Sequence, residues 1–245
     1  MENPLVISKA DLHIHTKYSD GAFSVKRLLN YVVKNTDLKV IAITDHGEVR
    51  GAKEAKRIVQ ECRLPIEVIA GEEIYTTAGE IVGLFIKRRI PHGLTLKKTI
   101  RRIHQQGGLA VAVHPYVTFS RRGKMPMRGI GSKFLKEREL DAVEAWNASP
   151  VPGSFRKNWK VYLKGKNLGI SMIGGSDAHI LRWVGKGFTL FPGSSAVDLR
   201  QAIENRKTVF GFSYSRIWEI VFYISAIIFW QRPRELGKKI RNKKR

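Results

Sequence analysis

Short apolar runs that turn polar at their C-terminal ends recur along the first two thirds of the chain. Residues 9–16 (KADLHIHT) read as a strand closing in polar side chains. The same reading holds for 38–46 (LKVIAITDH), 66–74 (IEVIAGEEI), 80–86 (EIVGLFI), 109–115 (LAVAVHP), 140–147 (LDAVEAWN) and 170–179 (ISMIGGSDAH). Between them lie stretches with apolar residues at helical spacing: 24–35, 51–63, 95–108 and 158–167. Ser24 and Thr95 are expected to cap the first and third of these, and the Gly107-Gly108 pair to end the third. Strands alternating with helices predict an α/β fold with a mainly parallel sheet. Seven or so such strands suit a barrel better than an open sheet. In barrels and open α/β sheets, ligand sites are built at the C-terminal strand ends.

From about Gly185 the pattern changes. Residues 185–212 read as one strand, a turn and a helix opening near Ser195. Residues 217–230 (IWEIVFYISAIIFW) are apolar except for Glu219 and Ser225. At fourteen residues this run falls short of the about 20 that span a bilayer. It is expected to form a helix packed on the barrel, one lying on or in a membrane with its basic tail on anionic headgroups, or, as the last alternative, a true span. The expected organisation is one domain over 1–212, then an apolar helix and basic tail over 213–245.

Charge adds to this picture. Lys and Arg total 44 against 21 acidic residues, a formal net charge of +23, so the chain attracts polyanions: nucleic acid, anionic lipid or phosphorylated metabolites. Residues 231–245 alone carry eight basic side chains against one acid, and a second basic stretch runs over 121–138. The single cysteine, Cys62, excludes an internal disulfide framework. With no leader-like pattern at the N-terminus, a cytoplasmic protein is expected, with peripheral membrane association through the tail as a further option.

The polar strand ends carry the candidate chemistry. His13 and His15 are two apart, so on a strand they share a face and can grip one ion. His46 is a candidate ligand, and Asp45 beside it a candidate to orient a neighbouring imidazole. In Gly71-Glu72-Glu73 a carboxylate can bridge two cations. Glu80 opens the next strand, and His114 closes a run of small apolar residues. Asp177 and His179 repeat the two-apart spacing. Asp20, next to Gly21, reads alone as a turn residue. Each taken singly also reads as a polar cap. Together, five of the seven histidines fall at strand ends beside acidic residues, which points to a shared metal site; His92 and His104 flank helices and read as ordinary. Arg121 and Arg122, in the loop after His114, are candidates to clamp a phosphate, and Asn147 to hydrogen-bond substrate or water.

With DLHIHTKYSDG, ITDHG, GEEI, HP and GSDAH in this order, residues 8 to about 212 resemble the polymerase and histidinol phosphatase (PHP) superfamily. The resemblance implies a distorted (β/α)7 barrel, here with a C-terminal helical extension, holding two or three divalent metal ions such as Mn, Zn or Fe. It implies one metal on His13, His15, Glu73 and Asp177, a second on Glu73 and His114, and a third on Asp20, His46 and His179. Glu73 rather than Glu72 is then the bridge. Members commonly add a histidine just after the Glu strand; this chain has Glu80 there instead.

The implied activity is hydrolysis of a phosphate ester by a metal-activated hydroxide, on a phosphorylated small molecule or a nucleic acid. Two rival readings differ in class. One is a non-catalytic PHP-fold module that binds nucleic acid or an anionic membrane, against which the intact ligand set counts. The other is an amidohydrolase, which would need a carboxylated Lys or further histidines on middle strands.

Overall fold

The computed structural model describes residues 6–119, 127–150 and 153–213. In chain order its elements are β1 (Ile7–Ile14), α1 (Val25–Asn35), β2 (Leu38–Ile43), α2 (Arg50–Cys62), β3 (Glu67–Thr76), β4 (Gly79–Leu84), α3 (Leu96–His104), β5 (Leu109–Ala112), β6 (Thr118–Phe119), β7 (Met127–Arg128), β8 (Ala142–Asn147), α4 (Ser154–Lys166), β9 (Ser171–Gly175), β10 (Gly187–Pro192), α5 (Ala196–Glu204) and β11 (Val209–Phe212). The expected strands and helices are present. Two additions escaped the periodicity: the β6–β7 ribbon, which is antiparallel, and β11, which pairs with β10. The expected C-terminal helix and basic tail fall in 214–245, outside the described residues, as do Arg121 and Arg122.

The main sheet runs β11-β10-β1-β2-β3-β4-β5-β8-β9. Pairs β1–β2, β2–β3, β5–β8 and β8–β9 are parallel. A parallel bridge between Ile14 and Ala178, with His15 N donating to Ala178 O at 3.0 Å, brings the segment after β9 back to β1 and nearly closes the barrel. One strand departs from the parallel pattern. β4 is antiparallel to both β3 and β5, because only Thr77 and Ala78 separate it from β3 and a parallel crossover needs a dozen residues or more. The N-terminal end of β4 therefore lies at the same barrel end as the C-terminal ends of its neighbours. The α/β barrel of seven strands, one of them reversed, is the distorted form expected.

Inside the barrel, Ala10, Leu12, Val40, Ala42, Ile69, Val82, Val111, Ala142 and Ile173 pack together. On β2 the intervening Ile41 and Ile43 face outward onto α1 and α2. Period-two alternation thus fills both the barrel core and the helix–sheet layer. Ser24 and Thr95 cap α1 and α3 as expected, accepting from the amides of Arg27 and Lys98. Ser195 opens α5 in a reciprocal capping box with Asp198. Ser195→Ala is expected to cost about 1 kcal/mol, read as a lower urea midpoint at unchanged m-value; an unshifted midpoint would show that this cap contributes nothing.

Candidate metal centre

A register shift in β1 between Asp11 and Ile14 decides where its histidines point. Ala10 and Leu12 face the barrel core. Past the irregularity the inward parity changes, so His13 and His15 also face inward, above that core. Bulges commonly re-aim side chains next to sites in this way. Two further side chains are turned by their backbone. His114 (φ 29°) and Asp177 (φ 51°) sit in the left-handed region, at a cost on the order of 1–3 kcal/mol each. Without that turn, His114 would follow Ala110 and Ala112 to the outer face.

The inward groups converge. Glu73 Oε2 lies 3.4 Å from His13 Nε2, 3.2 Å from His15 Nε2 and 3.2 Å from His46 Nδ1, while Glu73 Oε1 lies 2.9 Å from His114 Nε2. Asp177 Oδ1 is 3.3 Å from His15 Nε2 and 3.7 Å from His13 Nε2. Asp20 Oδ1 is 3.2 Å from His179 Nε2 and 3.8 Å from both His46 Nε2 and His15 Nδ1. Ligands about 2.1 Å from a tetrahedral ion stand ~3.4 Å from one another. The separations around Glu73 Oε2 and Asp177 Oδ1 match that edge better than they match hydrogen bonds.

The chemistry of the donors agrees. His13 Nε2, both ring nitrogens of His15, His46 Nδ1, His114 Nδ1, Glu73 Oε2 and Glu80 Oε1 are buried and make no hydrogen bond among the described residues. Buried polar atoms left this way are costly unless something else satisfies them. Four groups have donor atoms close enough together to share an ion: His15, Asp20, His46, His179; His13, Glu73, His114; His13, His15, Asp177; and His46, Glu73, Glu80. The residues present therefore fit divalent cations.

Electrostatics supports the same reading. Burial opposes charge on His13, His15 and His114, but the surrounding carboxylates outweigh it. His13 is raised well above the ordinary imidazole value, His15 to about 10 and His114 to about 9. Burial likewise opposes charge on Glu73, yet the imidazoles of His46 and His13 hold it well below the usual carboxylate range. The site is thus a well of negative potential for protons or metal cations alike. Glu80, buried and close to the charge of Glu73, is pushed up to about 8. Its Oε2 accepts from Arg128 N at 3.0 Å.

Two expected roles are differently filled. The Asp45 carboxylate does not meet an imidazole. It accepts from Thr16 N (2.7 Å), Thr16 Oγ1 (2.7 Å) and Ser19 Oγ (2.6 Å), pinning the loop that carries Asp20. Asn147 is 3% exposed and turned inward: Nδ2 donates to Glu144 Oε2 at 2.9 Å and to Asp177 Oδ2 at 3.4 Å. These bonds brace the cluster.

Two buried acids were not anticipated. Glu144 Oε1 lies 3.0 Å from His13 Nδ1, and its Oε2 accepts from His114 N at 2.9 Å. Asp11 accepts from the amides of His13, Ser176 and Gly185, tying the Asp177 loop to β1; burial lifts it to about 6 despite these bonds. An acid on the inward face of a strand buried throughout, as in AVEAWN, was the available signal for Glu144. Glu72 points the other way, accepting from Ile90 N.

Comparison with known proteins places the chain. The PHP domain family model matches residues 11–127, and the PHP-associated model matches 156–208. An uncharacterized protein of Methanocaldococcus jannaschii is 43% identical over 150 residues, 57% of this chain and 82% of the relative. A 5'-3' exoribonuclease of Haemophilus influenzae is 27% identical over 201 residues, 80% of this chain and 64% of the relative. The crystal structure of a two-domain protein from Bacteroides vulgatus, containing a predicted PHP-like metal-dependent phosphoesterase, superposes with a TM-score of 0.65 at 20% identity, over 85% of this chain and 65% of that one. The chain spans just under two thirds of both these longer proteins. From its matched models and its archaeal relative, the chain belongs to the PHP domain family.

Proposed function

We propose that the chain is a metal-dependent phosphoesterase whose cations are held by His13, His15, Asp20, His46, Glu73, Glu80, His114, Asp177 and His179. The observation that carries this reading is the position of Glu73. One buried carboxylate faces four imidazoles within 3.4 Å, as a ligand shared between two cations must. The imidazole-rich donor set suits Mn, Zn or Fe. Cations bound there would supply an activated water and neutralise charge on phosphoryl oxygens.

The protein's own groups do the rest. Glu144, Asn147 and Asp11 fix the donors from behind. Asp45 holds the loop bearing Asp20. The Asp20 and His46 side chains are 21% and 16% exposed, whereas those of His13, His15, Glu73 and His114 are closed off, so substrate approaches from the Asp20–His46 side. Arg121 and Arg122 remain candidates to clamp a phosphate.

For substrate, the name of the Haemophilus influenzae relative and the net charge of +23 favour a nucleotide or nucleic-acid phosphodiester over a small phosphomonoester. The convergence of every donor counts against a non-catalytic module. The test compares metal-loaded and chelated protein on a generic phosphodiester, a phosphomonoester, short RNA and DNA, and an amide. Turnover of the diester only by the loaded protein is expected; turnover of the amide alone would overturn the assignment.

A further inference from the structure

Helix α4 is buried along one edge only. Asn158, Val161 and Gly165 face the barrel. Along a flank beside that edge Phe155, Trp159 and Leu163, spaced four apart and so aligned in one row, are 59, 50 and 50% exposed, and Leu168 beyond the helix is 41% exposed; at its start the row touches the barrel, Phe155 meeting Trp146 edge-on with ring centroids 5.5 Å apart. Scattered apolar residues on a surface need no explanation, but an aligned row of aromatic and leucine side chains marks an interaction face. The helix also carries Arg156, Lys157, Lys160, Lys164 and Lys166, of which Lys160 lies over the Tyr116 ring at 4.2 Å, and it has no acidic residue.

The neighbouring chain has the same character. β11 runs beside α4, where Phe210 meets Tyr162 with ring centroids 5.6 Å apart, and the described residues end at Ser213 next to it. The sequence that follows holds the apolar run 217–230 and then the tail with eight basic residues in fifteen. Apolar and cationic sequence therefore leaves the barrel from the flank of an apolar and cationic helix.

We infer that this face of α4 docks on an anionic lipid bilayer. The row Phe155–Trp159–Leu163 enters the boundary between headgroups and acyl chains, where Trp is favoured, and the flanking lysines meet lipid phosphates. Charge and chemistry select this occupant. A second copy would set five cations against five. Single-stranded nucleic acid would stack on Phe155 and Trp159 but has no use for Leu163 and Leu168. Packing of the chain's own 217–230 over the row would leave the cationic border without a role.

The test uses the full chain carrying Cys62→Ser and Leu163→Cys, the new thiol labelled with an environment-sensitive fluorophore. Vesicles of mixed phosphatidylglycerol and phosphatidylcholine are expected to sediment the protein and shift the label to the blue. Salt is expected to reverse both effects, and pure phosphatidylcholine to produce neither. In the unlabelled chain, Phe155→Ser with Trp159→Ser is expected to lower partitioning at least about tenfold in a protein that still folds cooperatively, with only a small fall in melting temperature from the lost contacts to Trp146 and Tyr162. A label that does not respond to anionic vesicles, or partitioning indifferent to the double substitution, overturns the inference. A shift produced by RNA and not by vesicles assigns the face to nucleic acid instead. A concentration-dependent doubling of mass abolished by Trp159→Ser assigns it to self-association.

Discussion

Glu73→Ala is expected to lower phosphodiesterase activity by roughly 10³-fold, the upper end of what deleting one electrostatic group costs in other sites, and to lower the number of metal ions bound per chain, since two of the four donor groups contain Glu73. Glu73 is the point where the donor groups overlap. His13, His15, His46 and His114 each come within 3.4 Å of one of its two oxygens. Losing His179 would weaken chiefly the Asp20 side; losing Glu73 removes the carboxylate common to the group with His13 and His114 and the group with His46 and Glu80. The fold should survive, because the freed imidazoles can discharge by giving up their protons.

That discharge has a pH signature. In the metal-free protein His15 is raised to about 10 and His114 to about 9, carboxylates outweighing their burial. A group raised in the folded state contributes stability that is complete below its unfolded value, about 6.5 for His, and that fades as pH rises through the folded value. Thermal melts of the metal-free protein should therefore weaken from about pH 6.5 up to pH 9–10 and level off above that. With Glu73 gone the weakening should be smaller and end at lower pH, because the folded values of His15 and His114 then lie closer to the unfolded one. A Glu73→Ala protein with normal metal content and normal turnover would remove the basis for the proposed centre.

How much of this was legible in the sequence follows from the physics of each element. Strands that are apolar along their length and polar at one end show both the barrel and the side on which chemistry sits, because burying an unpaired polar group is costly wherever it serves nothing. The two-apart spacing of His13 and His15 held, although the bulge before them means that their inward parity is not that of Ala10 and Leu12. No periodicity rule reports the left-handed backbone of His114 and Asp177, and strict alternation would have put His114 outside the barrel. The reversed β4 was implicit in the short gap between two strand patterns, and it explains why an acid at a strand start, Glu80, joins acids and imidazoles at strand ends. Asp45 was expected to orient an imidazole and Asn147 to reach substrate or water, and residue type alone could not say that Asp45 meets the Thr16–Ser19 loop or that Asn147 meets Glu144 and Asp177. Glu144 stayed hidden because, apart from Asn147 three positions on, its partners are distant in sequence: His13, 131 positions away, and the amide of His114, 30 away.

Glu144→Gln is expected to weaken metal binding by about 10–100-fold, the usual range for losing a partner behind a ligand. The groups facing Glu144 are donors: the amide of His114, the Nδ2 of Asn147 and, opposite Oε1, His13 Nδ1. A carboxylate accepts from all three. Its Oε1 thereby keeps the proton of His13 on Nδ1 and leaves Nε2, directed at Glu73 and Asp177, with a lone pair for a cation. Glutamine can accept at only one position. If its amide NH2 faces His13, that ring must accept at Nδ1 and carry its proton on Nε2, where it blocks the ion. If the NH2 faces His114 and Asn147, two buried donors meet a third. Glu144→Ala should lose a similar amount of affinity, whereas Glu144→Asp should recover part of it. Chelator competition measures the affinity, and nitrogen-15 chemical shifts of the His13 ring report the tautomer directly. A purely structural role would lower the melting temperature of the metal-free protein while leaving the tautomer of His13 and its metal affinity as they were, and that pattern would refute the orienting role.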